Sequence, residues 1–298
     1  MGEPSACRAW LELVRPPNLF TAPGDPLAGL CCAAALAGGA FDAQTAALAA
    51  TAALLLYTGG LIGNDVADIE EDRHDRPGRP LPSGRVSRTA AFAASALCAG
   101  LGLLAALAAG PAAFVAACLT QAAVMLYNGG LKRRTIPGAL AMGACRGLSF
   151  LIGAAAALPS QAAVPLAAAA CLTVYVAGIT WIADRETNVV RIGGRRWVPA
   201  AALVVLAAIV TARTGAAGWV CLLTMGAAAG WAVRQGVRLA GVPSPPVLGS
   251  AIGGLIRGLL AVQAAFATLA GTAGLAAAAV LLALWPASAA AARRFHAT

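Results

Sequence analysis

Charge is scarce in this chain. Asp, Glu, Lys and Arg make up 11% of its 298 residues, where a soluble domain carries about a quarter. That excludes an ordinary water-soluble globule. Aromatic residues are also few, at 5%, and there are two histidines, His74 and His296, neither of which is given a role. The eight cysteines are scattered, mostly inside apolar runs, and no two form C-x-x-C. A metal knuckle or a redox pair is therefore not indicated, and the cysteines read as small buried apolar residues. Strict alternation of apolar and polar residues is missing, which excludes a membrane β-barrel. The first apolar run is broken by Pro23 and Pro26 and lacks a basic stretch leading to a cleavage site. It reads as a mature span rather than a signal peptide.

What the chain has in abundance is apolar sequence, 60% by count, in runs of about 20 residues. Spans are expected near 18–38, 44–63, 88–109, 111–128, 136–158, 162–182, 198–213, 216–233, 248–270 and 273–291. The segment 248–270 carries Arg257 and Gln263, so it is either re-entrant or buried within the bundle, and a count of nine is as defensible as ten. The expected fold is an all-α polytopic transmembrane bundle, one domain over 1–298 with no linker. The spans are rich in Ala and Gly. Pairs such as Gly59/Gly63, Gly226/Gly230 and Gly254/Gly258 predict close helix approach in lipid.

The net charge of +9, nearly all from arginine, is unevenly placed. It gathers at 73–88, 132–134, 185–196 and 234–238, while the intervening loops carry only Arg213. This asymmetry predicts that the N-terminus and those four loops face the cytoplasm, as in a bacterial inner membrane. It also accounts for the basicity without a nucleic-acid partner.

Half of the twelve acidic residues sit in one window, 63–75, immediately after an apolar run. Charge near a bilayer is costly, so such a cluster calls for a reason. Asn64, Asp68 and Asp72 are four apart. On a helix they share one face, roughly 12 Å from first to last. Like charges so arranged repel unless cations lie between them, and their oxygens suit Mg²⁺, a hard ion that bridges to substrate phosphates. The alternative is a solvated loop whose carboxylates, Asp65 and Asp75 included, pair with Arg73, Arg76 and Arg79.

The next stretch, Arg76-Pro77-Gly78-Arg79-Pro80-Leu81-Pro82-Ser83-Gly84-Arg85, is stiffened by its prolines. Its arginines can fork to phosphate oxygens. At the end of a later span, Tyr127-Asn128-Gly129-Gly130-Leu131-Lys132-Arg133 places Lys132 and Arg133 where they could neutralise a departing diphosphate. Asp184, Glu186 and Asn188 occupy a mirror position to the first acidic window, an even number of spans away and hence on the same membrane face. Arg146 lies deep within a span and should face the interior and meet an anion there, either a substrate or a structural carboxylate.

These stretches together resemble the UbiA family of membrane prenyltransferases. The resemblance rests on Asn64-Asp65-x-x-Asp68-x-x-x-Asp72, on Arg79-Pro80-Leu81-Pro82-Ser83-Gly84-Arg85 and on Tyr127-x-x-x-x-Lys132-Arg133. The opening Leu13-Val14-Arg15-Pro16-Pro17-Asn18 supports it, and it runs from about 13 to 291. It implies nine spans around a central cavity and an isoprenyl diphosphate held through Mg²⁺ between two acidic motifs. By it Asn64, Asp68 and Asp72 would bind metal, and Lys132 and Arg133 would contact the diphosphate. Together with the residue readings above, the expected metal set extends to Asp184 and Asn188 and the substrate set to Asn18, Arg76, Arg79, Tyr127 and Arg146, and Asp184 or Glu186 would take a proton. The second motif departs from the family's D-x-x-x-D by carrying Asn188, as in a divergent branch resembling the EboC-like group. The implied reaction is prenyl transfer to an electron-rich aromatic or lipid acceptor. A terpene cyclase, or a non-catalytic carrier that retains a lipid-diphosphate pocket, stays open on sequence alone.

Overall fold

The computed structural model describes residues 6–37, 41–157, 162–184, 191–214 and 218–294. The described chain is helical throughout: α1 Ala6–Val14, α2 Pro16–Leu19, α3 Gly24–Ala37, α4 Ala43–Ala67, α5 Ile69–Asp75, α6 Arg88–Ala109, α7 Pro111–Asn128, α8 Thr135–Ala157, α9 Ala163–Ala183, α10 Val198–Thr214, α11 Trp219–Arg238, α12 Pro245–Ala267 and α13 Gly271–Arg294. Local chemistry sets several boundaries. The Asp42 carboxylate accepts from the amides of Gln44 and Thr45 and so starts α4, and Ser87 starts α6 through the amide of Ala90. Prolines 111 and 245 open α7 and α12, where a missing N–H is harmless.

By length and apolarity, eight stretches qualify to cross a membrane, and the last of them, Pro245–Arg293, contains both α12 and α13. Helix α11 carries Arg234, Gln235 and Arg238 in its second half and is not among the eight. Counted with α12 and α13 as separate helices, these stretches give nine among the described residues, in line with the about nine spans expected, and α11 joins them as a tenth long helix.

Helix α8 lies at the centre, packed against α3, α7 and α9. One core gathers Phe150 of α8, Tyr175 of α9, Leu206 of α10, Met225 of α11 and Leu255 of α12. A second joins Leu56 of α4, Ala106 of α6, Ala117 of α7 and Ile152 of α8. Helix α12 is buried almost continuously from Leu255 to Ala267, so Arg257 and Gln263 belong to an interior helix. The outer helices α6 and α7 turn Phe92, Leu104 and Met125 outward, each more than 60% exposed. In a membrane those faces meet lipid.

Small residues do bring helices together, though only partly where the sequence suggested. Gly59 and Gly63 sit against Ser95 of α6, and Gly254 and Gly258 meet Gln235 and Tyr175, whereas Gly226 and Gly230 face open space. Close approach also marks the crossing of α3 on α8, which the G-x-x-x-G pairs named from sequence did not flag. A Cβ at Gly29 would collide with the carbonyl of Phe150, and one at Gly153 with the carbonyl of Pro26. Backbone atoms cannot give way as a side chain can. Gly153→Ala is therefore expected to destabilise the bundle by at least about 1–3 kcal/mol, read as a lower melting temperature in detergent. Gly226→Ala should leave it unchanged.

Candidate functional site

The acidic window lies at the junction of α4 and α5, where Asp68 ends one helix and starts the next. Asn64 and Asp68 are one turn apart, and the Asn64 amide donates to Asp68 Oδ2 at 3.1 Å. Lys132 closes the group from 68 residues away. Its Nζ donates to Asn64 Oδ1 at 3.0 Å and lies 2.6 Å from Asp68 Oδ1. It arrives there because α7 ends at Gly129-Gly130. Gly130 has φ +143°, a conformation that a side chain would resist, and the chain turns sharply into a single 3₁₀ turn, Leu131–Arg133. The Asn128 amide ties the same end of α7 to the carbonyl of Gly60 at 3.1 Å.

The structure does not hold Asp72 in that group. Its carboxylate takes both bonds from Nη1 of Arg79, at 3.0 and 2.7 Å. Asp65, buried beside it, pairs with Arg15 at 2.6 Å and has Arg79 at 3.9 Å. The window therefore has two sides. Asn64 and Asp68 engage Lys132, while Asp65 and Asp72 engage Arg15 and Arg79. The loop-type pairing considered from sequence is also realised, in Asp72–Arg79 and in Glu70–Arg73 at 2.7 Å.

Arg15 was not singled out in the sequence beyond its place in the opening Arg-Pro-Pro-Asn. It is the one non-glycine residue among those described with positive φ, at 47°. Such backbone costs on the order of 1–3 kcal/mol and persists only where its surroundings enforce it. Here Pro16 follows directly and the guanidinium is held by Asp65.

The remaining expected residues are distributed as follows. Asp184 ends α9 and its Oδ2 accepts from the Thr135 hydroxyl at 3.1 Å, which brings the second motif to the start of α8, three residues after Lys132. Glu186 and Asn188 lie outside the described residues. Tyr127 and Asn18 are half-buried, and Arg76 and Arg133 are exposed at the same end of the bundle. Arg146 is buried at 5% exposure and finds a structural carboxylate: its Nε lies 2.8 Å from Asp25 of α3, and its Nη2 donates to the carbonyl of Thr21 at 2.9 Å. Gln263 of α12 donates to Asp25 at 2.7 Å and to the same carbonyl at 2.8 Å, and Tyr57 of α4 presents its ring 5.6 Å from the guanidinium. This cluster pins α3, α4, α8 and α12 together. Asp25 could have been found from sequence by the rule that drew attention to Arg146, since it too is a charge inside an apolar run.

The residues present can be tested for fit to a hard cation. The Lys132 ammonium bridges Asn64 Oδ1 and Asp68 Oδ1, and the contact to Asp68 is ionic without hydrogen-bond alignment, so a buried carboxylate oxygen retains unused acceptor capacity. Two side-chain oxygens already converge on one cation there, and oxygen is the donor that Mg²⁺ takes. Among the described residues no three Asp, Glu, His or Cys side chains converge as a metal cage. A divalent ion would therefore complete its coordination with water or substrate oxygens.

Fold and site together define a multi-pass helical membrane protein with a polar, cation-rich constellation at one end of the bundle. Residues 27–244 match the UbiA prenyltransferase family, and the chain belongs to that family. Among its relatives, the digeranylgeranylglyceryl phosphate synthase of Ignicoccus hospitalis is 36% identical over 149 residues, 50% of this chain and 47% of that protein. The synthase of the same name from Methanothrix thermoacetophila is 34% identical over 158 residues, 51% of this chain and 55% of that protein. The chain thus spans about half the length of the curated relatives it matches. A solved structure from work on digeranylgeranylglyceryl phosphate synthase shares the fold, with a TM-score of 0.62 at 20% identity over 88% of this chain and 97% of that one. A UbiA homologue from Archaeoglobus fulgidus, solved bound to DMAPP and Mg²⁺, shares it at a TM-score of 0.53 and 17% identity, over 85% and 98%.

Proposed function

We propose that this protein transfers a prenyl group from an isoprenyl diphosphate to a lipid acceptor within the membrane, and that the acceptor is a glyceryl phosphate. The observation that carries the reading is the convergence of Asn64, Asp68 and Lys132 at one end of an apolar bundle. Family membership supports the reaction class. The relatives named digeranylgeranylglyceryl phosphate synthase support the acceptor class.

In this reading the diphosphate lies over the α4–α7 end and the prenyl chain extends between the helices. Asn64 and Asp68, joined by Asp72 once it leaves Arg79 and by Asp184 and Asn188 of the second motif, would hold Mg²⁺. When bound, Mg²⁺ neutralises charge on the diphosphate. Lys132 and Arg133 donate to the diphosphate oxygens as the bond to the allylic carbon breaks and the electron pair leaves with the diphosphate. Fixed positive charge aimed at that developing negative charge is where most of the acceleration would arise. The apolar bundle keeps water from the allylic cation, so the acceptor hydroxyl forms the new C–O bond and loses its proton. Asp184, with Glu186 beside it in sequence, is the acceptor for that proton.

Incubation with radiolabelled geranylgeranyl diphosphate, Mg²⁺ and a panel of glyceryl phosphate and aromatic acceptors tests this. The expected product is a prenylated glyceryl phosphate. A prenyl hydrocarbon or alcohol would replace this reading with a cyclase, and tight binding without turnover would replace it with a carrier.

The arginine asymmetry supports a cytoplasmic position for the loops that bear Asp68, Lys132, Asp184 and Arg234. In a background freed of native cysteines, single cysteines at these loops should resist a membrane-impermeant thiol reagent applied from outside. Labelling at any of them would overturn the orientation.

A further inference from the structure

Two anions must be handled if the acceptor carries a phosphate, and the acidic window is built with two sides. We propose that the cavity beside Arg15, Arg76 and Arg79 is a second anion site that holds the phosphomonoester headgroup of the acceptor. This inference rests on the prenyl-transfer reading, and it assigns donor and acceptor to opposite sides of one helix junction.

The cavity has a volume of about 470 Å³ and is lined by Glu12, Arg15, Asp65, Arg76 and Arg79 together with the Gly78–Pro80 backbone turn. That falls within the roughly 300–1,000 Å³ of small-molecule sites, so it has room for a headgroup rather than a bare ion. None of Asn64, Asp68, Tyr127 or Lys132 lines it. Its lining shares no residue with the Asn64–Asp68–Lys132 group.

Its charges do not cancel. The side chains that line it or pair with those lining it are five guanidinium groups (Arg8, Arg15, Arg76, Arg79, Arg85) against three carboxylates (Glu12, Asp65, Asp72). Asp65 takes Arg15, Asp72 takes Arg79, and Glu12 is shared by Arg85 at 2.8 Å and Arg8 at 3.4 Å. Arg76 is left over, exposed at the mouth and without an ion pair among the described residues. A phosphomonoester carries roughly 1.5 to 2 negative charges near neutral pH. The surplus guanidinium supplies the complementary charge.

The donors are also in surplus. A guanidinium offers five N–H groups. The short ion pairs named here use only Nη2 of Arg15 and only Nη1 of Arg79, whose side chains are 17% and 18% exposed. Donors on two largely desolvated, rigidly held arginines therefore remain available to fork to phosphate oxygens.

The walls are held in place. Helix α1 lays Ala9 and Leu13 against Ile62, Ile69, Leu81 and Val86, and Arg85 Nη2 donates to the Gly78 carbonyl at 2.8 Å. Arg15 adopts left-handed backbone at the one point where α1 turns into α2. A strained residue whose side chain lines a cavity is a better candidate for binding than for packing.

The test uses the full chain in nanodiscs of phosphatidylcholine without Mg²⁺, titrated calorimetrically with glycerol phosphate. Binding is expected, and Arg76→Gln should weaken it by about tenfold or more, the range of one lost charge-assisted hydrogen bond. Arg76→Lys, which keeps the charge, should recover part of the loss. Lys132→Gln should leave glycerol phosphate binding unchanged while weakening geranylgeranyl diphosphate binding in the presence of Mg²⁺, which Arg76→Gln should leave nearly intact. If Arg76→Gln weakens both ligands alike, or Lys132→Gln abolishes glycerol phosphate binding, the cavity belongs to the donor and the proposal fails. If glycerol phosphate gives no heat but phosphatidate in the disc protects Arg76 from an arginine-directed reagent, the site holds a bilayer lipid and the acceptor assignment fails. Glycerol phosphate binding through Arg76 in a protein that never consumes geranylgeranyl diphosphate would uphold the anion site and overturn the transfer reading instead.

Discussion

Asp68→Ala is expected to lower turnover of an isoprenyl diphosphate by at least about 10²–10³-fold, the loss typical of removing one group that stabilises developing charge. Asp68 does two things at once. It offers oxygens at the place where a cation already sits, and it holds Lys132 through the 2.6 Å contact that keeps the ammonium beside Asn64. In the proposed reading, removing it takes away a metal-binding charge and frees Lys132. Asp72→Ala should be similarly damaging if Asp72 leaves Arg79 to join the metal. It should be milder, roughly tenfold or less, if Asp72 only anchors Arg79, one charge-assisted bond being worth on the order of 1.5–3 kcal/mol before solvent screening. Steady-state kinetics over a Mg²⁺ series, alongside melting temperatures to show that the variants fold, separates these outcomes. Near-normal turnover in Asp68→Ala would remove this face of α4 from the reaction.

Arg146→Leu is expected to destabilise the bundle by about 3–5 kcal/mol, because it strands Asp25 as an unpaired buried charge. Asp25 is fully buried, at 0% exposure, and its partners are Arg146 and Gln263. Asp25→Leu should cost about as much by stranding the guanidinium. The double variant is the informative one. A buried ion pair replaced whole by apolar side chains is often neutral or stabilising, so Arg146→Leu with Asp25→Leu should recover most of the loss. The readout is thermal unfolding in detergent across the four-member cycle. If the double variant is no better than the singles, the tie among α3, α8 and α12 works through Thr21 and Gln263 instead. If Arg146→Leu is stable but binds prenyl diphosphate poorly, Arg146 belongs to the substrate.

Much of this was legible in the sequence because the bilayer imposes hard rules. Apolar run length located the helices, and the four-residue spacing of Asn64 and Asp68 put them on one face, as found. The convergence of Lys132 with that face is not a matter of spacing, since it depends on how α7 ends at Gly130. The family resemblance pointed to it where periodicity could not. The same spacing rule did not place Asp72 with its neighbours, because α4 gives way to α5 at Asp68 and Nη1 of Arg79 holds both Asp72 oxygens. Arg146 was recognisable as a charge needing an anion, but its partner lies 121 positions earlier in the chain, a pairing set by the crossing of α3 and α8. That crossing rests on Gly29 and Gly153, single glycines that meet carbonyl groups of the facing helix rather than forming a G-x-x-x-G pair.

The most direct measurement of the central claim is a structure of the protein with a non-reactive thiolodiphosphate analogue of geranylgeranyl diphosphate, with Mn²⁺ as an anomalous stand-in for Mg²⁺. The expected result is a metal peak within coordination distance of Asn64 and Asp68, the diphosphate on it, and Lys132 moved from Asp68 to a diphosphate oxygen. A diphosphate bound elsewhere, with Lys132 still seated between Asn64 and Asp68, would contradict it.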